Sequence, residues 1–313
     1  MLRRTTAAVV GLALLSACRS ADTPPAPGSD ATLRVAASFA PIEEILRAVG
    51  GSHLAVIAVT APGADAHDVD PGAKLLEDIH ASAAVFYIGR DFQPSLDRQL
   101  AALDSSVRQV DLATDIPRLR SDGTPAGPAD TDVDPHLWLA PNNMAAMTAK
   151  AAAVLVELDP DHRADFLASA DRYVAELTAL DAAMTAAFTG CETTTFLTEH
   201  RAFAYLAGRF GLTELSISGV SPDGEPSAKE LRDTIESARV AGVKAVFAEA
   251  NAPATLVRTA AADLGVEVRV LRRRWRAVPT VRPQANSRAG PSNRHREHRS
   301  GRSPGPCRET NLP

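Results

Sequence analysis

"DPDHRADFLASADRYVAELTALDAAMTAAFTG", residues 159–190, is the stretch around which the chain organises. Phe166, Tyr173, Leu177, Leu180 and Met184 recur at spacings of three, four and seven, and nothing breaks the run before Gly190. The spacing predicts one helix from about Asp161 to Phe188. Upstream lie "LRVAA" at 33, "LAVIAVT" at 54 and "AAVFYI" at 83; downstream lie "TTTFLT" at 193, "ELSIS" at 214, "KAVFAE" at 244 and "VEVRVL" at 266. Such β-rich runs, interleaved with helical stretches, argue for βαβ units and parallel sheets. The pattern occurs twice, so the expected fold class is α/β, with two Rossmann-like parallel-sheet lobes joined by one long rigid helix. The boundaries that follow are 33–160 for the first lobe, 161–189 for the spine and 190–271 for the second lobe.

At 313 residues and 45% apolar, the chain can build a core in each lobe. Aromatics are only 4%, which fits helices packed on small side chains and offers no stacking surface for nucleic acid.

The two ends read differently from the middle. "MLRRTTAAVVGLALLSAC" sets Arg3 and Arg4 before an apolar run from Ala7 to Leu15. That run is far shorter than the ~20 residues of a spanning helix, so 1–18 is expected to be an export signal. The four residues ending at Cys18 resemble a bacterial lipobox, which would lipidate Cys18 and tether the chain to an outer membrane face. Residues 19–32 are rich in Pro and Ser, as a flexible stalk is. Beyond Leu271, residues 272–313 hold eleven arginines, no lysine and two acids. This tail carries no periodicity and is expected not to pack. Its composition matches a GC-rich gene translated out of frame; the alternative is a real basic tail seeking anionic partners. Cys191 and Cys307 are too few for a disulfide scaffold, and whether they pair stays open.

Three of the eight histidines share a setting. His67 lies in "GADAHDVDP" after the strand at 54, His136 in "DVDPHLWLAPNN" before a helix beginning near Pro141, and His200 at the end of "TTTFLTEH". Ligands bind off the carboxyl ends of strands in open parallel sheets, so all three can face one crevice. Three neutral imidazoles suit zinc and leave one position for a carboxylate or water. His53, His80 and His162 lack that setting, and His295 and His298 lie in the tail. The loop 120–134 carries Asp122, Asp130, Asp132 and Asp134, which attract cations weakly or simply solvate the loop.

"PGADAHDVDPGAKLLEDIHASAAVFYIG" at 62, "DPHLWLAPNN" at 134, "FLTEHRAFAYLAGRFGL" at 196 and "VFAEANAP" at 246 resemble the signature blocks of the zinc and manganese solute-binding proteins that feed bacterial ABC importers. The resemblance runs from about Leu33 to Leu271. It implies that His67, His136 and His200 are metal ligands for zinc, with manganese also possible; imidazole at the third position, where manganese binders tend to carry glutamate, softens the site towards zinc. It further implies an ABC permease as partner, a membrane attachment through lipid, a monomer and an extracytoplasmic location. Asp134 and Glu199 are expected to orient the rings, and Glu249 to stand behind the ligands or serve as a structural acceptor. One departure stands out. The family places an acidic ligand and then a closing helix after the last strand, where this chain reads "RRRWRAVPT" with no carboxylate between Arg272 and Arg296. Weak binding and a partly uncovered second sheet are the expected consequences.

Two other functions compete with a carrier. Three histidines and an open position also describe hydrolytic zinc sites, although no H-E-x-x-H or G-x-S-x-G element is present. A surface lipoprotein acting as an adhesin is the third reading, for which the chain offers no repeat or aromatic patch.

Overall fold

The computed structural model describes residues 32–103, 105–220, 224–249 and 255–271. The export signal with Cys18, nearly all of the stalk, Cys307 and the tail from 272 lie outside the described residues.

Each lobe is a four-stranded parallel sheet. The first holds β1 (Leu33–Ala37), β2 (Leu54–Ala58), β3 (Ala84–Tyr87) and β4 (Arg108–Asp111) in the order β2-β1-β3-β4. The second repeats that order with β5 (Thr195–Thr198), β6 (Thr213–Ser216), β7 (Ala245–Glu249) and β8 (Glu267–Leu271), as β6-β5-β7-β8. The strand order therefore reverses at β1/β3 and at β5/β7, which opens a crevice at the carboxyl ends of those strands. Both sheets are the expected α/β units. Only β4 was not foreseen: it is an edge strand whose sole buried residue is Val110, with Arg108 and Gln109 exposed, so it carries no apolar alternation.

The helices are α1 (Ala40–Gly50), α2 (Ala73–His80), α3 (Pro94–Ala101), α4 (Pro141–Leu158), α5 (Arg163–Phe188), α6 (Ala204–Phe210), α7 (Ala228–Val240) and α8 (Thr255–Leu264). Prolines 41, 94 and 141 sit in the first turns of α1, α3 and α4, where the missing N–H costs nothing. A capping box between Ser227 and Glu230 starts α7. Val35 and Ala37 of β1 face a core built with α1, α4 and α5, while Ala36 faces a second cluster containing Ile79 of α2 and Leu96 of α3. The first sheet is thus covered on both faces, as parallel sheets require. In the second lobe Leu197, Val246 and Ala248 pack with Ile235 of α7 and Val257 of α8. Strand β8 closes that sheet with no buried residue, and Val270 is 53% exposed.

Helix α5 begins at Arg163, after a 3-10 turn at Pro160–His162. Phe166, Ala170, Tyr173 and Leu177 form one stripe buried in the first lobe's core. Leu180 and Met184 continue the stripe only half-buried, because the second half of the helix runs past that core. There it is tied to α6: Arg209 grips Asp181 through two contacts of 2.8 and 2.5 Å, and Phe188 meets Phe210 at 5.5 Å between ring centres. No helix among the described residues is long and apolar enough to cross a membrane.

The 120–134 loop is held by its own polar groups. Asp122 accepts from Thr124, Asp130 pairs with Arg120 at 2.7 Å, and Asp132 accepts from the Ser121 hydroxyl. Asp134 leaves this set and is fully buried.

Gly50 ends α1 where Leu54 of β2 passes close by. A Cβ at Gly50 would sit 2.1 Å from Leu54 Cδ1 and 3.0 Å from its Cβ. Leu54 belongs to the main core and has little room to yield. Gly50→Ala is therefore expected to destabilise by roughly 1–3 kcal/mol through overpacking, read as a lower urea midpoint; an unchanged midpoint would show that β2 can move aside.

Candidate metal centre

Three loops at the carboxyl ends of the sheets deliver the three histidines. His67 lies between β2 and α2; the Asp65 carboxylate accepts its backbone N–H at 2.8 Å, and the Gln93 side-chain amide donates to the carbonyl of Ala66 at 2.8 Å. Its ring stands edge-on to Phe92, 4.7 Å away. His136 lies well past the end of β4, immediately before a 3-10 turn at Leu137–Leu139 that leads into α4. Asp134 Oδ1 accepts both the backbone N–H of His136, at 2.8 Å, and its ring Nδ1–H, at 2.7 Å. His200 follows β5 by two residues, and its carbonyl accepts the Thr198 hydroxyl at 2.9 Å. Glu249, the last residue of β7, takes the His200 Nδ1–H at 2.5 Å. His136 and His200 are 2% and 4% exposed, whereas His67 is half-buried.

These placements bring the Nε2 atoms together. His136 Nε2 lies 3.0 Å from His67 Nε2 and 3.3 Å from His200 Nε2. Among the described residues this is the one group of three or more His, Cys, Asp or Glu side chains with donor atoms close enough to share an ion. The chemistry of the pair His136–His200 is decisive. Each ring commits its Nδ1 proton to a carboxylate, so each presents a lone pair at Nε2. Two lone pairs facing across 3.3 Å repel unless a cation lies between them. For tetrahedral zinc at ~2.0 to 2.1 Å from each nitrogen, the N···N edge is about 3.3 Å. The donor set fits zinc, and Asp134 and Glu249 supply two carboxylates behind it.

Burial favours the neutral form of His67 and His136. It pushes the His67 imidazole down from 6.5 to about 4, assisted by the neighbouring His136, while Asp65 pulls the other way. Burial also lowers His136, outweighing the hydrogen bond from Asp134 that favours its charged form. Proton competition at these two rings thus lies below the ~6.5 expected for free imidazole.

Of the second set of residues foreseen from the sequence, Asp134 and Glu249 each hold a ring. Glu199 does not: its carboxylate accepts the backbone N–H of Glu249 at 3.1 Å and so positions the residue that positions His200. Glu199 lies just past the end of β5, with its carboxylate on the Glu249 backbone rather than on a ring. His53 and His162 stack on each other at 3.9 Å in a separate place, paired with Asp165 and Asp159. Phe92 and Gln93, which support His67, were missed; their signal was their position just past β3, at the sheet's reversal point.

The family model for the periplasmic zinc-uptake complex component A matches residues 35–274. The zinc-binding lipoprotein AdcA of Streptococcus pneumoniae is 28% identical over 251 residues, covering 78% of this chain and 50% of the relative. The zinc-binding protein AdcA of Streptococcus pyogenes is 27% identical over 260 residues, with the same coverage of 78% and 50%. The chain spans about half the length of these relatives. Among solved structures, ZnuA superposes with a TM-score of 0.70 at 26% identity, covering 77% of this chain and 91% of that one. The laminin-binding protein Lmb of Streptococcus agalactiae, described as bifunctional with adhesin and metal transporting activity, gives 0.68 at 28% identity, covering 77% and 89%.

The lowered imidazole sets a stability profile for the metal-free protein. Between pH 4 and 6.5 the unfolded chain takes up a proton that folded His67 refuses, so stability is full above about 6.5 and falls as the pH drops towards 4. A shift from 6.5 to about 4 corresponds to at most roughly 3–4 kcal/mol. Urea midpoints of the metal-free protein at pH 7.5 and 4.5 should show the fall, and His67→Gln should flatten it; an equally steep fall in that variant would assign the effect elsewhere.

Proposed function

The chain belongs to the family of periplasmic zinc-uptake components, and from that premise we propose that it is an extracytoplasmic solute-binding protein that captures zinc and delivers it to an ABC-type importer. The observation that carries this reading is the facing pair of Nε2 lone pairs at 3.3 Å, contributed by His136 of the first lobe and His200 of the second. Zinc is the cargo, held by His67, His136 and His200. Three nitrogen donors favour zinc over manganese, which prefers oxygen and stands lowest in the divalent affinity order. The protein is a binder and not a catalyst, attached through Cys18 to the outer face of the cell membrane and acting as a monomer beside its permease. Lobes joined by α5 and tied at α6 would close on the ion by small movements, because both ties resist a wide swing.

Asp134 and Glu249 fix the tautomers of His136 and His200 and offset the charge of the ion. Among the described residues no carboxylate is hydrogen-bonded to the His67 ring, which is held by Phe92 and by the turn of its own loop.

Competition titration of the full chain against a chelating dye should give one zinc per molecule. His67→Ala, His136→Ala and His200→Ala should each weaken binding by about 100-fold or more, and Asp134→Asn by roughly 10- to 100-fold. Manganese should bind several orders of magnitude more weakly. A His200→Ala variant with parental zinc affinity would dismiss the shared site.

The pH dependence offers a separate check. Affinity should hold from pH 7.5 to about 6 and fall at lower pH, following the lowered His67 rather than a free imidazole. A midpoint at 6.5 would mean that the rings are solvated.

A further inference from the structure

The connection from β3 to α3, residues 88–93, supports the first lobe's side of the centre. Phe92 abuts His67, and Gln93 pins the carbonyl before it. Between these and the strand, Arg90 and Asp91 both adopt positive φ, 69° and 55°, a region that residues with a Cβ enter at a cost. Such backbone persists only where its surroundings over-determine it. Here the Arg90 side chain does so: Nη2 donates to the carbonyls of Ala113 and Ile116 at 2.8 and 2.7 Å, and Nη1 donates to the hydroxyl of Tyr205 at 2.6 Å.

Tyr205 belongs to the second half of the chain but packs in the first lobe's core, 6% exposed. Its hydroxyl also accepts the backbone N–H of Leu119 at 3.1 Å. It stands in the first turn of α6, five residues after His200. The chain between them has little slack, because Ala202 and Phe203 donate their N–H groups to the Glu214 carboxylate at 3.1 and 3.0 Å and Arg201 donates to the carbonyl of Gly219 at 2.9 Å. The far end of α6 is held by Arg209 on Asp181. Losing the contact to Arg90 would leave the start of α6 with one hydrogen bond fewer to the first lobe, and any shift there would be passed to His200 along this taut segment.

We propose that Arg90 is a positioning residue for the metal centre: through the Tyr205 hydroxyl it sets the distance between His200, on the second lobe, and the pair His67 and His136, on the first. This rests on the zinc-carrier reading above. A charged donor on a phenol oxygen is directional and short, which suits a distance that a tetrahedral ion tolerates only within tenths of an ångström. The loop with positive φ at Arg90 and Asp91 aims Arg90 at Tyr205 and leaves Phe92 and Gln93 on the His67 side.

The test uses the full chain, with zinc affinity and the visible absorption of bound cobalt(II) as readouts. Tyr205→Phe removes one oxygen and keeps the ring; Arg90→Met keeps the apolar stem. Each should weaken zinc binding about tenfold and alter the intensity of the cobalt bands, which report coordination geometry and do not respond to a mere loss of stability. The double variant should lose less than the product of the two single losses, since both singles remove the Arg90–Tyr205 contact while each also removes contacts of its own. Single variants with parental affinity and the parental cobalt spectrum would overturn the proposal, as would a double variant whose loss is the product of the two. Should Arg90→Met fail to fold, Tyr205→Phe decides alone on affinity and spectrum. A parental chain that takes up neither metal removes the carrier reading and this proposal with it, a failure recognisable because the parent is measured first.

Discussion

The rest of the structure depends on two imidazole nitrogens that cannot satisfy each other. His136 and His200 give their Nδ1 protons to Asp134 and Glu249, so their Nε2 lone pairs confront each other at 3.3 Å. Bringing two such dipoles together in a buried place is unfavourable by itself, and the fold holds them there through strands, a turn and carboxylates fixed beforehand. That cost is recovered when a cation enters, because no ligand then has to be reoriented. Three polar contacts around the pair support the confrontation: Glu199 holds Glu249, Thr198 holds the His200 carbonyl, and Glu214 holds the turn after it.

The division of the ligands explains the architecture around them. Two parallel sheets with the same strand order present their reversal points to one crevice, so a centre made of His67 and His136 on one side and His200 on the other must keep two lobes in register. Helix α5 alone cannot, since only its first half is buried in the first lobe. Helix α6 completes the job: Tyr205 plugs into the first lobe while Arg209 grips the spine. Seven residues of the second lobe thereby carry the registration between the halves.

Much of this was legible in the sequence because it follows from periodicity. The β-rich runs at 33, 54, 83, 193, 214, 244 and 266 marked strands, and the stripe from Phe166 to Met184 marked the spine. β4 was invisible because an edge strand with one buried residue carries no alternation. The three histidines were legible because each sits on a loop between patterned elements, where a core role was implausible. Their supports were only partly so. Asp134 is two residues from His136 and was readable as a neighbour, but the roles of Glu199 and Glu249 depend on pairing between β5 and β7, which adjacent letters do not disclose. Arg90 and Tyr205 are 115 residues apart, and no local pattern connects them.

The three rings are not equivalent, and the inequality bears on how a carrier can both hold and release an ion. His136 and His200 are almost fully buried and backed by carboxylates, which raises their basicity towards a metal and denies their rings freedom to turn. His67 is half-buried and backed by the face of Phe92, so its ring has the least electrostatic support and the most contact with solvent. An ion held jointly by all three would exchange from the His67 side, where water and protons arrive first. On the carrier reading, the deep pair therefore supplies selectivity for nitrogen-seeking zinc, and the shallow ring on its short loop supplies the exit.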